Sequence, residues 1–559
     1  MQSVLLPSAS LRGKPRLQTH KPVESFATWA NKVSWLVLVA ASLYQLVFHP
    51  SLPNFLAIGS ITVAWALFTN TFFRAELIGT CPLSTLLVLG FTTTQFYFPL
   101  LFTSLEGKAV IFNLDLPYLV FLHSSAAMVV VLLSHAIYRS LRRRTIRRPP
   151  TLMLKLGFFD VPTDAQLWLM GFVGLAATFY TYLYQPTGWS VTGAASDKAV
   201  QSLLPFTYAP FCLPFKRLYG SNTPPTARLL LPLLGFTLLL FLVSIGRNSR
   251  GGFMIGFSSV GFAYVLGLLL GVYQAKFFTL RNAIITLGAY WLFTGPIADI
   301  GTGMVLVREQ RHDISYVELI TSTLEASTDK AAIERFRSLN SADESGTNWD
   351  ENYLSNIFLA RFCNIKYNDL SLGRAQKYPE HDTRMLTYSA NYILAELPQP
   401  ALDALNLGSV DKKTLKGGSV GDYLYYLTDG PPSVIGWYLT GHFAGTSMAT
   451  FGWWYLLLLG IGLLPIYLVF DKLFLRYYDA PPQAAALPFR FSLCGILILD
   501  TIFRFLSVFE HVIVIPIALL RPIPQLLLLY LLLFYVTRLL TKLLPGGSRY
   551  SSASGTAQA

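Results

Sequence analysis

The sequence has few charged residues and few of the residues that build metal or disulfide sites. Only 13% of its 559 residues are Asp, Glu, Lys or Arg, where an ordinary soluble domain carries about 25%. The 4 cysteines, at positions 81, 212, 363 and 494, show no paired spacing of a zinc site or a disulfide framework. These shortages exclude a soluble enzyme of ordinary composition, and they predict no metal site.

Apolar residues are what the chain has in excess. Hydrophobic side chains make up 53% of the sequence and gather in runs of about 20 residues, the length that crosses a bilayer. We expect an all-α, polytopic transmembrane helical bundle of about 12 spans, with one large, mainly helical external loop. The net charge of +13 falls mostly in short loops, as the positive-inside rule expects, and therefore does not indicate nucleic acid.

The basic clusters set the expected orientation. The densest cluster, 139–148, follows the fourth predicted span and places that end in the cytoplasm, together with both chain termini. The chain then divides into a basic tail (1–28), spans one to nine (29–300), the external loop (301–434), an interfacial segment with spans ten to twelve (435–543) and a flexible tail (544–559). Within the loop, helical periodicity predicts helices at 315–324, 330–338 and 386–397.

Two arginines lie in a short polar stretch, 244–253, between two long apolar runs. Arg247 and Arg250 belong to the sequence Gly-Arg-Asn-Ser-Arg-Gly-Gly, which the parity of spans places on the outer face. A guanidinium binds phosphate through two parallel hydrogen bonds, and glycines let a ligand approach the backbone. The residues alone leave two interpretations open: a diphosphate site, or arginines that reach out to lipid headgroups.

A second basic group follows the ninth predicted span. Arg308, Arg311 and His312 share a helix face if the segment is helical, and they could close over the same phosphate. The alternative is a solvated helix start in which Glu309 and Asp313 are their partners.

The end of the external loop carries the remaining candidates. His442 is flanked by glycine-rich sequence and could act as a base near neutral pH, or only as an interfacial hydrogen-bonding residue. Tyr438 could stack on a sugar or fill the membrane interface. Glu510 and His511 could form a proton-handling pair, or be simple neighbours of Arg504.

These features resemble the Wzy-type (O-antigen polymerase-like) family of oligosaccharide repeat unit polymerases. The matching elements are the double-arginine turn, the single dominant external loop and the loop exit from Pro432-Ser433 through Tyr438 to Phe451-Gly452. The likeness in span layout covers most of the chain, whereas the likeness in sequence is limited to these short stretches. One departure is His442, which stands where an acidic residue would be looked for.

The resemblance implies a multi-pass glycosyltransferase of the bacterial inner membrane, with its large loop in the periplasm. It would transfer a glycan from undecaprenyl diphosphate to the next lipid-linked repeat unit of O-antigen, capsule or exopolysaccharide, without a metal or cofactor. The implied partners are the lipid-linked oligosaccharides, the lipid bilayer, a chain-length regulator and a flippase. The implied roles are catalytic for Arg247, Arg250 and His442, and substrate-binding for Arg308, Arg311, His312, Tyr438, Glu510 and His511.

Three other functions remain as alternatives. An O-antigen ligase has a similar build and would depend more on an external histidine. A polyprenyl-phosphate-sugar mannosyltransferase would carry acidic residues in its first external loop, and residues 49–54 contain none. A polysaccharide or lipid-linked sugar transporter would show internal repeats and charges in mid-span, and of these the sequence offers mainly Asp500.

Overall fold

The structure, a computed structural model, describes eleven parts of the chain. These are residues 21–142, 151–181, 199–221, 223, 226–246, 250–274, 279–307, 314–339, 349–408, 410–476 and 487–543. They are mainly helical, as the periodicity of the sequence predicts.

Within the described residues, seven helical stretches are long and apolar enough to cross a membrane. They are Phe26–Phe48, Leu52–Phe72, Pro82–Leu105, Pro117–Arg142, Leu280–Leu306, Phe443–Asp471 and Val514–Leu543. Two shorter apolar helices accompany them, Leu230–Gly246 and Met254–Leu269. Large apolar side chains such as Leu43, Leu133 and Leu231 point away from the protein, as they would toward lipid. The expectation of an all-α helical membrane protein is confirmed in this outline.

The remaining predicted spans take other forms, so the total of twelve stays a prediction. Around 165–184 the structure has the 16-residue helix Asp164–Phe179. Around 199–215 it has the 3₁₀ segment Leu204–Tyr219, with Pro210 and Pro214 inside it. Proline removes a backbone donor and clashes with the preceding turn, which explains why no regular α-helix forms there.

The region predicted as one span over 487–503 is not a continuous helix. It begins with the strand Phe489–Phe491, which pairs antiparallel with Phe474–Arg476, and continues as the short helices Leu493–Leu497 and Leu499–Phe503. The aromatic rings of the two strands pack together, and Phe474 lies 4.7 Å from Phe491 between ring centroids. Aromatic cross-strand pairs of this kind stabilise a hairpin, and here they override the expected helix.

The other elements of the bundle are short or continue those already given. They are Lys21–Phe48, Ala75–Ile78, Pro82–Thr92, the π-helical turn Thr93–Tyr97, Phe98–Leu105, Thr151–Lys155, Ala227–Leu229, Arg250–Leu269, Leu280–Thr294, Pro296–Leu306, Tyr455–Asp471, Val514–Leu520 and Pro522–Leu543.

The polar region between Leu306 and His442 forms a helical domain, called here the loop domain. Its elements are Tyr316–Thr328, Lys330–Leu339, Ile357–Ala360, Ile365–Lys377, Arg384–Leu394, Gln399–Ala404, Lys412–Lys416, Val420–Thr428 and the 3₁₀ turn Pro432–Val434. The helices at 316–328, 330–339 and 384–394 lie where the periodicity predicts them.

The loop domain is anchored on the connection between the third and fourth helices of the bundle. The Asp369 carboxylate accepts hydrogen bonds from the backbone N–H groups of Asp115 and Leu116, at 3.1 and 2.7 Å. The Glu106 carboxylate accepts from the N–H groups of Ser355 and Asn356, at 2.7 and 2.9 Å. Residues 106–116 and the loop domain therefore share one face of the bundle.

A close backbone contact joins the loop domain to the helix Phe443–Phe451. A Cβ built on Gly445 would lie 2.2 Å from the carbonyl carbon of Ser371, so only glycine fits this crossing. The sequence predicts an interfacial segment before the tenth span, but the structure starts a helix at Phe443 that leads into Tyr455–Asp471.

Candidate functional site

Four of the predicted site residues, Arg247, Arg308, Arg311 and His312, lie outside the described parts of the chain. Arg250 is the first residue of the helix Arg250–Leu269, and its side chain is likewise not described. The predicted roles of these five residues stay predictions.

The described residues that flank the two basic stretches are neighbours. Gly246 ends the helix before Arg247, and Tyr316 begins the helix after His312. A Cβ built on Gly246 would lie 3.4 Å from the Ile320 side chain and 4.0 Å from Cβ of Tyr316. The helix ends that bound the two basic stretches therefore lie close together.

The other four candidates converge at the junction of the loop domain and the bundle. The loop exit, residues 432–442, and the segment 509–513 meet beside the helices Val420–Thr428 and Phe443–Phe451. The N–H of Phe443 donates to the carbonyl of Phe509 at 2.9 Å, and the Thr446 hydroxyl donates to the carbonyl of Glu510. The N–H of Val512 donates to the Ser447 hydroxyl at 2.9 Å.

Asp422 organises the loop exit. This buried carboxylate accepts hydrogen bonds from four backbone N–H groups: Ser419 at 3.1 Å, Gly436 at 3.0 Å, Tyr438 at 3.0 Å and Leu439 at 2.7 Å. Two of these residues have positive φ, +105° at Gly436 and +58° at Tyr438. A non-glycine residue in that region costs about 1–3 kcal/mol, and the carboxylate offsets this cost.

The role of Asp422 is a feature that sequence reasoning missed. Ser419 and Asp422 form a capping box at the start of the helix Val420–Thr428, and this spacing is a recognisable signal. The signal predicts a helix start, but it does not predict the three donors that arrive from residues 436–439.

Tyr438 owes its position to this turn. Its side chain is partly buried, and burial followed by the charge of Asp422 raises the pKa of its phenol. Tyr438 therefore remains a neutral phenol at the edge of the site, where stacking on a sugar stays a prediction.

Glu510 is a carboxyl whose surroundings raise its pKa toward neutral. Its carboxylate is partly buried and accepts the N–H of Val420 at 3.0 Å, at the first turn of the helix Val420–Thr428. Burial, and then the negative charge of Asp422, raise the pKa of Glu510 to about 7, although backbone hydrogen bonds from Val420 and Gly421 oppose the shift. A carboxyl that titrates near neutral pH suits general acid–base chemistry.

His442 is buried and serves as the N-cap of the helix Phe443–Phe451. Its Nδ1 accepts the N–H of Ala444 at 3.2 Å, so the ring hydrogen is assigned to Nε2, which has no partner in the described part of the chain. Burial, together with His123, lowers the pKa of His442 to about 3. In this conformation His442 is a neutral hydrogen-bond donor rather than a base, and its catalytic role stays a prediction.

His511 lies beside Glu510 in sequence but has separate partners. Its Nδ1 accepts the N–H of Ile513 at 3.2 Å, and its Nε2 lies 2.8 Å from the Thr450 hydroxyl. Burial lowers the pKa of His511 to about 3. The two side chains thus titrate in different ranges, and the geometry favours a structural role for His511.

The structure also brings together two cations that the sequence did not single out. Lys416 and Arg521 both pair with Glu396, Arg521 at 3.2 Å, and together we call these three residues the basic patch. Lys416 Nζ lies 3.5 Å from the ring centroid of Tyr392. Burial, then the charges of Glu510 and Glu396, raise the pKa of Tyr392 to about 12, which places both carboxyls around this ring.

The basic patch has one positive charge more than it has negative charge. Arg521 keeps 38% of its side chain exposed and stands at the break between Val514–Leu520 and Pro522–Leu543. An exposed guanidinium at a membrane-helix break can bind an anionic headgroup or phosphate.

In the described residues, no three His, Cys, Asp or Glu side chains are grouped as a metal site requires.

Comparisons of the chain with protein-family models, curated proteins and solved structures find no match in any of the three. The interpretation of the site therefore depends on its own chemistry: a carboxyl whose pKa is raised to about 7, a folded polar domain that contacts it, and a basic patch that shares the neighbour Tyr392 with it.

Proposed function

We propose that the protein is a membrane glycosyltransferase that polymerises undecaprenyl-diphosphate-linked oligosaccharide repeat units at the periplasmic face of the bacterial inner membrane. The observation that carries the proposal is the placement of Glu510. A carboxyl with a pKa of about 7 lies where a polar domain meets a bundle of membrane-length helices.

The reaction assigns Glu510 the role of general base. The Glu510 carboxylate accepts the proton of the acceptor hydroxyl while that oxygen forms a bond to the anomeric carbon of the growing glycan. The bond from this carbon to the lipid diphosphate breaks, and the diphosphate leaves with the electron pair. Fixed cations stabilise the charge that develops on such a leaving group.

Two sets of cations are available for the diphosphate. The sequence offers Arg247 and Arg250, and the basic patch offers Lys416 and Arg521. Arginine is the better ligand of the two residue types, because its planar fork matches phosphate oxygens in pairs.

The test is Glu510→Gln in the native host, read out as the length distribution of surface polysaccharide on gels. We expect long chains to disappear and single repeat units to accumulate, because removing a general base costs about 10²–10⁴-fold in rate. Glu106→Gln is the matched control, because Glu106 is also a partly buried glutamate that accepts backbone N–H groups but has no part in the proposed chemistry, and this variant should retain chains. Normal chain length in Glu510→Gln, at a normal level of protein in the membrane, would refute the assignment.

The O-antigen ligase alternative makes a different prediction. It depends on an external histidine, so His442→Ala would leave the polymer made but not attached to its lipid acceptor. The buried, neutral state of His442 does not favour this alternative.

A further inference from the structure

The loop domain contains a cavity that none of the roles above uses. It has a volume of about 500 Å³ and opens between the helices Arg384–Leu394 and Val420–Thr428. Ligand sites in proteins have volumes of about 300–1,000 Å³ and combine aromatic walls with a few polar groups. The size of this cavity therefore suits a small organic ligand or one end of a longer one.

Many of the residues that line the cavity lie on one face of each of two helices. Arg384, Thr387, Tyr388 and Asn391 occupy one face of their helix, because positions i, i+3, i+4 and i+7 lie on the same side. The facing helix contributes Tyr423 and Tyr426, again three residues apart. Two short helices thus place three phenol rings and an amide around one space.

The rings form a continuous aromatic wall. Tyr388 and Tyr423 stack with centroids 4.0 Å apart and an angle of 13°, and Tyr423 lies 6.2 Å from Tyr426. Tyr388 is buried behind this stack, whereas Tyr426 is 40% exposed. A partly exposed tyrosine offers a ligand both an apolar ring face for stacking and a hydroxyl for hydrogen bonding.

Two polar side chains in the same wall have no hydrogen-bond partner in the described part of the chain. The Asn391 amide and the Thr387 hydroxyl line the cavity without a hydrogen bond of their own. An amide and a hydroxyl each donate and accept, so they match ligand hydroxyl groups. A ligand with one apolar face and many hydroxyls fits both this pair and the aromatic wall.

The lining carries no surplus charge. Its one charged residue, Arg384, is paired with Asp382, with Arg384 Nε 2.8 Å from Oδ2 of the carboxylate. Hydrogen bonds from Arg384 hold the pKa of Asp382 well below its usual range, so the pair stays ionised and neutral overall. A ligand with a carboxylate would find no free cation in this wall.

We propose that this cavity binds an uncharged saccharide unit, a neutral hexose or an N-acetylhexosamine, stacked on Tyr426 and Tyr423 and hydrogen-bonded to Asn391. The proposal rests on the proposed function, since it identifies the cavity as a subsite for the glycan that reacts at Glu510. The two sites adjoin: Ser419 lines the cavity, and the next residue, Val420, donates its N–H to Glu510.

The test is direct saccharide binding to the purified full chain in nanodiscs, measured by saturation-transfer NMR. The probes are maltotriose and N,N′-diacetylchitobiose, both neutral, and trigalacturonate, which is acidic. We expect one or both neutral probes to bind and Tyr426→Ala or Asn391→Ala to weaken that binding about tenfold. Leu386→Ala is the matched control, because Leu386 is 45% exposed on the same helix and does not line the cavity.

Three outcomes would overturn the proposal: no binding of either neutral probe, preference for trigalacturonate, or unchanged binding in both cavity variants. Tyr426→Phe keeps the ring, and it should retain most of the binding if the protein is intact.

The experiment also separates this inference from the proposed function. If neutral probes bind at the cavity but Glu510→Gln still makes long chains, the proposed function falls and the saccharide site stands. If Glu510→Gln loses its chains while Tyr426→Ala and Asn391→Ala bind as the wild type does, only the saccharide site is wrong.

Discussion

The bundle holds a carboxylate at each of its two faces, and the two have opposite surroundings. At the face away from the loop domain, Asp471 accepts hydrogen bonds from the Ser84 and Tyr138 hydroxyls, at 2.7 and 2.9 Å, and pairs with Arg142 at 2.8 Å. At the loop-domain face, Glu510 has backbone N–H donors but no cation paired with it among the described residues. The first carboxylate is compensated by a cation and joins two helices, whereas burial raises the pKa of the second to about 7.

The two carboxylates also differ in the parts of the chain that they connect. Asp471 is 1% exposed at its side chain and joins helices that are 329 residues apart in sequence at the Arg142 contact. Glu510 connects fewer parts of the chain, since its carboxylate accepts hydrogen bonds from the first turn of one short helix, Val420–Thr428. Removal of one partner from a buried ion pair is costly, and a buried carboxyl without a counter-ion keeps its proton to a higher pH.

The largest expected effect comes from breaking the compensated pair. Arg142→Ala should destabilise the protein by about 3–5 kcal/mol, because it leaves the Asp471 carboxylate buried without a counter-ion. The measurement is thermal unfolding of the purified protein in detergent. The control is Arg538→Ala. The side chains of Arg538 and its partner Asp160 are both about half exposed, so this substitution should lower the free energy of unfolding by less than about 1 kcal/mol. Equal effects of the two substitutions would break the comparison.

The next effect concerns the pH dependence of the uncompensated carboxyl. Glycan transfer should rise with pH up to about 7 and then level off, because Glu510 must be ionised to accept a proton. Asp422→Asn should move this midpoint to lower pH, since the negative charge of Asp422 helps to raise the pKa of Glu510. The measurement is chain transfer in membranes across pH 5–9, and a midpoint unaffected by Asp422→Asn would contradict the stated cause.

The raised pKa of Glu510 also makes the free energy of unfolding depend on pH. The folded state retains a proton on Glu510 up to about pH 7, whereas the ordinary pKa of a glutamate side chain is 4.5. Between these values the folded state binds more protons than the unfolded state, so the free energy of unfolding falls as pH rises. Glu510→Gln should remove this slope, and its persistence in that variant would show that another group causes it.

The smallest effect is expected at His442. His442→Asn keeps a side-chain acceptor at the N-cap of the helix Phe443–Phe451, so stability should change by no more than about 1 kcal/mol. Chain length of the polysaccharide should remain normal, because the neutral imidazole does not accept the proton in this conformation. Loss of polymer with a normal amount of protein in the membrane would restore His442 as a catalytic group and sharpen the contrast with Glu510.

Much of the local structure could be predicted from the sequence. The apolar runs give the membrane-length helices, and the periodicity at 315–324, 330–338 and 386–397 gives helices of the loop domain close to where they occur. Tyr438, His442, Glu510 and His511 lie at one junction, but their surroundings differ from one residue to the next, and their roles stay predictions.

What the sequence could not predict depends on contacts between distant residues. Lys416 and Arg521 meet at Glu396, and Arg142 meets Asp471, because the tertiary fold brings them together. The pKa of Glu510 likewise follows from burial and from Asp422, which no local pattern encodes. The strand pair at Phe474 and Phe491 replaced an expected helix for the same reason, since cross-strand packing decides the conformation there.

The glycine crossing between Gly445 and Ser371 sets a limit on how the molecule can work. A Cβ at Gly445 would overlap the Ser371 backbone, so only glycine allows the loop domain and the helix Phe443–Phe451 to cross this closely. If the proposed function holds, a lipid-tethered substrate would have to bring its reacting bond to Glu510 beside this crossing, and the length of the tether would then limit which substrates react.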